Sequence, residues 1–236
     1  MRSLALALVG IAWAILGGCG RYRFDPVGTS GDGASQGGSA AFVQSGMTTG
    51  YASSGAVTLS PTRAGSLLVI GVANASDTSD SVSGVTDDAG NTYRSASVRA
   101  IMNACETSSE IWYASNVRAD ATTVTVKLTG TIAFGIWAVE FTGASTQLAG
   151  SQANDEPATA LIAAPVVTSP TDAIVVSIGL ACANITGVHS GTQFTGLPVA
   201  SVADVAYCVT NASGSYGAQW DVAMAAPWCG GTVVFH

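Results

Sequence analysis

The segment Thr122–Leu128 (TTVTVKL) alternates strictly between polar and apolar side chains. Val124, Val126 and Leu128 fall on one face and Thr123, Thr125 and Lys127 on the other, the period-2 pattern of a half-buried strand. Ser66–Ala75 (SLLVIGVANA), Ile132–Phe141 (IAFGIWAVEF) and Asp172–Ala183 (DAIVVSIGLACA) are nearly continuous apolar runs, as central strands covered on both faces require. Beyond the amino terminus no stretch carries the 3.6-residue period of a helix. The usual surface helix formers Glu and Lys total five among 236 residues, against 28 Gly and 50 Ser plus Thr. Helix should therefore be nearly absent. Pro61, Pro170, Pro198 and Pro227 read as joints between strands, and Pro165 makes 161–168 an edge strand.

From Ala41 to His236 there are 196 residues, enough for one antiparallel β-sandwich with a sizeable core. Its expected core includes Val124, Val126, Val139, Phe141, Val233 and Phe235. A faint internal echo runs through the domain. Ser66–Ser76 is similar to Asp172–Cys182, Glu110–Asn116 to Asp204–Thr210, and Gly135–Phe141 to Cys229–Phe235. Two such halves suit two sheets packed together rather than a solenoid, which needs more repeats.

The amino terminus reads as an address. Arg2 precedes a 13-residue apolar run, Leu4–Leu16, too short to span a bilayer as a helix. Leu16-Gly17-Gly18-Cys19 follows and resembles the bacterial lipobox, in which the signal is cut before a cysteine that then receives lipid. The resemblance implies a signal peptide over 1–18 and lipidation at Cys19. Gly20 stands where Asp would favour inner-membrane retention, so it also implies the outer membrane, at its periplasmic face or the cell surface. Three acyl chains would hold such a protein far more firmly than the marginal grip of one.

Cleavage leaves seven basic and 15 acidic residues, a net charge of −8. That balance speaks against nucleic acid and anionic headgroups as partners and leaves membrane attachment to the lipid. Residues 19–40 are rich in Gly, Ser, Asp and Ala and bury too little to offset their ordering entropy, so they read as a flexible tether. Within them Gly33-Ala34-Ser35-Gln36-Gly37 spells the G-x-S-x-G elbow, but the strand and helix that the elbow needs are missing.

The order of landmarks in the domain is similar to that of bacterial secreted and surface β-sandwich modules. The matching stretches are Gly65–Val69, Val85–Tyr93 (VTDDAGNTY), Ile111–Val117 (IWYASNV), Thr123–Val126 and Val139–Gly143. The resemblance covers about 45–236 and implies a jelly-roll-like sandwich with no established enzymatic activity. Most such modules lack cysteines, and here this chain departs from them.

Four cysteines fall in the domain, Cys105, Cys182, Cys208 and Cys229, and an even count in an exported protein reads as two disulfides. Three connectivities are possible. Cys105 in a hairpin loop and Cys182 at a strand end favour Cys105–Cys182 with Cys208–Cys229. Redox and zinc chemistry lack their spacings, since no second cysteine follows Cys229 at x-x and only two His are present. Asp87, Asp88 and Asn91 offer oxygens to calcium, yet too few for its six to eight ligands, so a hairpin turn with Gly90 at positive φ is preferred. His189, in a loop, would need an activated Ser and a carboxylate to form a triad. Glu140 and Asp221 would have to face each other across a cleft to act as a glycosidase pair. Trp112, Tyr113, Trp137, Trp220 and Trp228 could stack on sugar rings, though most alternate with Val and Ile as core residues do, and Trp228, beside Pro227 and before the Gly pair, reads as the most exposed and so as the ligand-binding candidate. No cofactor is expected. The sequence points to a non-catalytic, lipid-anchored envelope protein serving adhesion, recognition or structure, with a carbohydrate-binding module or glycan-active enzyme remnant as the alternative.

Overall fold

A computed structural model describes residues 40–76, 81–143 and 148–236. Cys19, the signal and nearly all of the tether lie outside them. The described residues form an all-β sandwich of antiparallel sheets, and their only helical element is a single 3-10 turn, Asn103–Cys105.

The first sheet holds β1 (Ala41–Thr58), β2 (Leu67–Asn74), β3 (Val82–Asp87), β4 (Arg94–Met102), β5 (Thr107–Ala114) and β6 (Thr123–Thr142). Its order is β1-β6-β2-β5-β4, with β3 pairing with the first part of β6. In the second half follow β7 (Leu148–Ala163), β8 (Val167–Ser169), β9 (Ala173–Ala181), β10 (Ile185–Val188), β11 (Thr195–Gly196), β12 (Ala203–Thr210), β13 (Gly214–Tyr216) and β14 (Gln219–Phe235). Here β14 pairs with both β7 and β9, β9 with β12, and β12 with β11, while β10 pairs with the first part of β14. The two orders are the same path walked twice, with β8 and β13 added as a small two-stranded antiparallel sheet.

The register makes the correspondence residue-specific. Leu67 pairs with Phe141 and Ile174 with Phe235. Val72 stands opposite Glu110, and its counterpart Gly179 stands opposite Asp204. The echo in β5/β12 and β6/β14 is therefore structural. In β2/β9 the true alignment sets Leu67 on Ile174, one residue beyond the similarity of Ser66 with Asp172. A one-residue slip reverses the faces of a strand, so the sequence alignment pointed β9 the wrong way round.

Between the two sheets lies the main core, with Leu67, Val69, Trp137, Val139 and Phe141 against Ile174, Val176, Ile178, Val233 and Phe235. Each sheet is also covered on its outer face. Long β6 carries one half in the main sheet (132–142, beside β2) and the other (123–128) beside β3 and the end of β1. That second part closes over Leu68, Ile70 and Val72 with Val57, Val85, Val124 and Val126. The second sheet is closed in the same manner around Ile162, Ile185, Trp220 and Trp228. Hence β2 and β9 are buried along their whole length. Val124, Val126, Val139, Phe141, Val233 and Phe235 are all fully buried.

Two expectations are corrected here. The runs 122–128 and 132–141 are one strand, β6. Pro227 is inside β14 rather than at a joint, at a register shift between Ala226 and Trp228 where a missing N–H costs the ladder little.

Candidate functional site

Cys105 and Cys182 are bridged, with Cα atoms 5.9 Å apart, so the β4–β5 turn of the first half is tied to the end of β9 in the second. The expected Cys208–Cys229 bridge is not formed, and both residues remain buried thiols. Cys208 pairs with Val175 on one side of β9 and Cys229 with Leu180 on the other. Five positions of strand and two strand spacings separate them, far beyond the 4.4–6.8 Å that a disulfide spans.

Trp228 is not the exposed side chain that its Pro and Gly neighbours suggest. It is only 4% exposed, packed in the outer core of the second sheet, and its indole N–H has no hydrogen-bond partner among the described residues. It cannot present a stacking surface to a ligand.

His189 and Asp221 do come together. Their Nδ1 and Oδ1 lie 2.7 Å apart on a half-exposed surface, pinning the loop after β10 to β14. No Ser or Thr hydroxyl bonds to the other ring nitrogen among the described residues. Glu140 and Asp221 do not face each other. Glu140 is wholly buried in the first sheet, accepting hydrogen bonds from the Arg63 N–H (2.8 Å) and the Gln44 amide (2.6 Å).

Two further buried acids lay unmarked in the sequence, and the internal repeat relates them. Glu110 Oε2 accepts the Trp112 indole N–H at 3.1 Å, and Asp204 Oδ2 accepts that of Trp220 at 2.9 Å. Arg99 lies 3.4 Å from Glu110, whereas burial alone pushes the Asp204 carboxyl up to about 7.

The Asp87–Asn91 segment is a turn with Gly90 at φ 71°, but not the expected hairpin, because β3 pairs with β6 and β4 with β5, so the turn links two strands that do not pair with each other. Asp87 accepts the Ala89 and Asn91 N–H groups, the Asn91 amide and the Tyr93 hydroxyl. Burial, reinforced by the Asp87 charge, raises the Tyr93 hydroxyl well above its ordinary range. Asp88 accepts the Thr122 hydroxyl and the Thr122 and Thr123 N–H groups, and the Thr122 hydroxyl above all holds its carboxyl below the usual value. These oxygens are engaged in closing the turn, and no cluster of three or more metal-type ligands occurs among the described residues.

What the turn builds is a pocket. Asn91 Oδ1 accepts the Arg118 N–H at 2.7 Å and so joins the VTDDAGNTY stretch to the loop that follows IWYASNV. Hydrogen bonds from Gly65 to Val117, from Val117 to Ser66, and between Thr62 and Arg118 hold that loop from behind. Together they enclose a cavity of about 200 Å³ lined by Gly90, Asn91, Thr92, Arg94, Tyr113, Ser115, Asn116 and Arg118. The side chains of Thr92, Arg94, Ser115 and Asn116 are exposed and make no hydrogen bond or ion pair among the described residues. The Arg118 guanidinium makes a single hydrogen bond among the described residues, to the Ala89 carbonyl at 3.4 Å. Two cations converge there with no carboxylate in the lining. Near the opposite end of β2 a second, largely apolar cleft of about 410 Å³ runs between Met47, Phe134 and Val202. Both motif stretches stand out in the sequence, but the hydrogen bond that joins them into a single site is visible only in the fold.

Comparison with protein-family models, with curated proteins and with solved structures finds no match for the chain.

Proposed function

We propose that this chain is a lipid-anchored recognition protein of the bacterial cell envelope, whose sandwich presents the polar pocket at one end to a glycan. The observation that carries the reading is the set of unpartnered hydroxyl, amide and guanidinium groups on a rigid rim. Hydroxyls and amides match the alternating donors and acceptors of a sugar. A 200 Å³ pocket is smaller than the sites of drug-sized ligands and suits one pyranose unit. Its lining offers no carboxylate or imidazole for proton transfer, which favours binding over reaction. Preorganisation by the Asp87 and Asn91 bonds would reduce the ordering cost on binding. The anchor is supported by the Leu4–Cys19 pattern.

Two measurements test this reading. Cys19→Ser should abolish acyl labelling and release the protein from the membrane fraction; continued partitioning of the mutant into detergent phase would refute lipidation. The detergent-purified protein should be retained by a subset of glycans on an array, and retention by none would refute glycan recognition.

A further inference from the structure

We infer that the pocket takes an acidic sugar, with Arg94 and Arg118 receiving the carboxylate of a uronate residue. The inference rests on the glycan reading above and narrows it to a chemical class.

Charge is scarce in this chain, which holds eight Lys and Arg against 15 Asp and Glu. Five of those cations are in the described residues: Arg63, Arg94, Arg99, Arg118 and Lys127. Two of the five line one small cavity. Only Arg99 pairs with a carboxylate among the described residues, on Glu110. In an acidic protein, two arginines without acidic partners line one pocket, and of their guanidinium N–H groups only one, from Arg118 to the Ala89 carbonyl, is engaged among the described residues. Guanidinium groups bind carboxylates through paired, charge-assisted hydrogen bonds, which a lysine cannot copy.

The acids close to the pocket in sequence, Asp87, Asp88 and Asp120, form no ion pair with Arg94 or Arg118 among the described residues. Asp87 and Asp88 sit behind the turn with their oxygens occupied by N–H and hydroxyl donors. The rest of the lining is neutral. Thr92, Ser115 and Asn116 would remain for ring hydroxyls, and Tyr113, whose ring packs edge-on against Phe235 at 5.2 Å, forms a fixed wall. Arg94 opens β4 directly opposite Tyr113 in the register, so the cation is placed by sheet geometry rather than by a mobile loop. A bare anion would use the arginines and leave the neutral groups idle. A uronate uses both.

The test is equilibrium binding of short oligogalacturonates to the full-length protein in detergent. Short oligomers are the proper probe because the excess of acidic over basic residues repels a long polyanion. We expect saturable binding that falls at least tenfold when the oligomer is methyl-esterified. Arg94→Ala and Arg118→Ala should each weaken binding at least tenfold, and Arg94→Lys should restore only part of the loss. The Arg94 side chain makes no hydrogen bond or ion pair among the described residues, so its variants should keep the wild-type circular-dichroism spectrum and melting curve. Equal binding of the methyl ester, or unchanged binding by both Arg→Ala variants, would overturn the acidic-sugar assignment while leaving glycan recognition intact. Binding of inorganic sulfate as tightly as of the oligomer would show a simple anion site and also overturn it. If array glycans bind elsewhere and no oligogalacturonate binds, the assignment fails alone; if no glycan of either kind binds, the recognition reading fails with it.

Discussion

Asp204 stands wholly buried on β12, its two oxygens accepting, among the described residues, the Trp220 indole and its own strand's Val205 N–H. Burial outweighs these bonds and raises its carboxyl from an ordinary 3.8 to about 7. Between those values the folded protein keeps a proton that the unfolded chain has released. Stability therefore falls as pH rises from about 4 to 7 and is level beyond, by an amount on the order of 4 kcal/mol. Asp204→Asn should remove this slope, so urea midpoints at pH 5 and pH 8 should differ less in the variant than in the wild type. An unchanged difference would contradict the assignment. Asp204 was not legible beforehand because, in DVAYCVT, an acid at an alternating position reads as solvent-facing. The same holds for Glu110. Trp228 misled in the opposite direction, because Pro and Gly beside it suggested a loop.

At the scale of single strands, β6 offers the sharpest test of the alternation. Val126 is fully buried between the two layers of the first sheet, and Thr125, paired with Ala56 and Thr86, is only partly covered. Val126→Asp places a carboxylate where no partner exists and should cost several kcal/mol, a large share of the 5–15 kcal/mol typical of a domain. Thr125→Asp should cost far less, about 1 kcal/mol from strand preference. Denaturant titration of both variants decides it, and equal losses would refute the period-2 reading. The strands' existence was legible because side-chain alternation is local. Their continuity was not. Gly130 and Pro227 look like breaks, yet β6 and β14 run through them, since each strand changes layers there and bends rather than ends. Faces in β9 were also hidden. With both sides buried, the strand lacks the polar residues that would have fixed its phase.

Across the whole domain, the repeated sheet explains why a chain so poor in charge needs few covalent ties. Each half closes its own outer face, and the two share one core at the centre. The cysteines follow from that plan. Cys105–Cys182 crosses between halves over a sequence separation of 77, while Cys208 and Cys229 are held apart by β9. Spacing could suggest the first pair, but the intervening strand that forbids the second is a fact of topology. In Cys19→Ser protein from an oxidising compartment, alkylation of the native state should label nothing, since both thiols are buried. After denaturation without reductant it should label two sites, and after reduction four. Closing a loop of this length removes conformational freedom mainly from the unfolded chain, so reduction should lower stability by about 2–5 kcal/mol. Because the shared core joins the halves, unfolding should remain a single transition before and after reduction. Four labelled sites in the denatured, unreduced protein would show that the cross-link between halves does not form. Two separable transitions would show that the central core does not couple them.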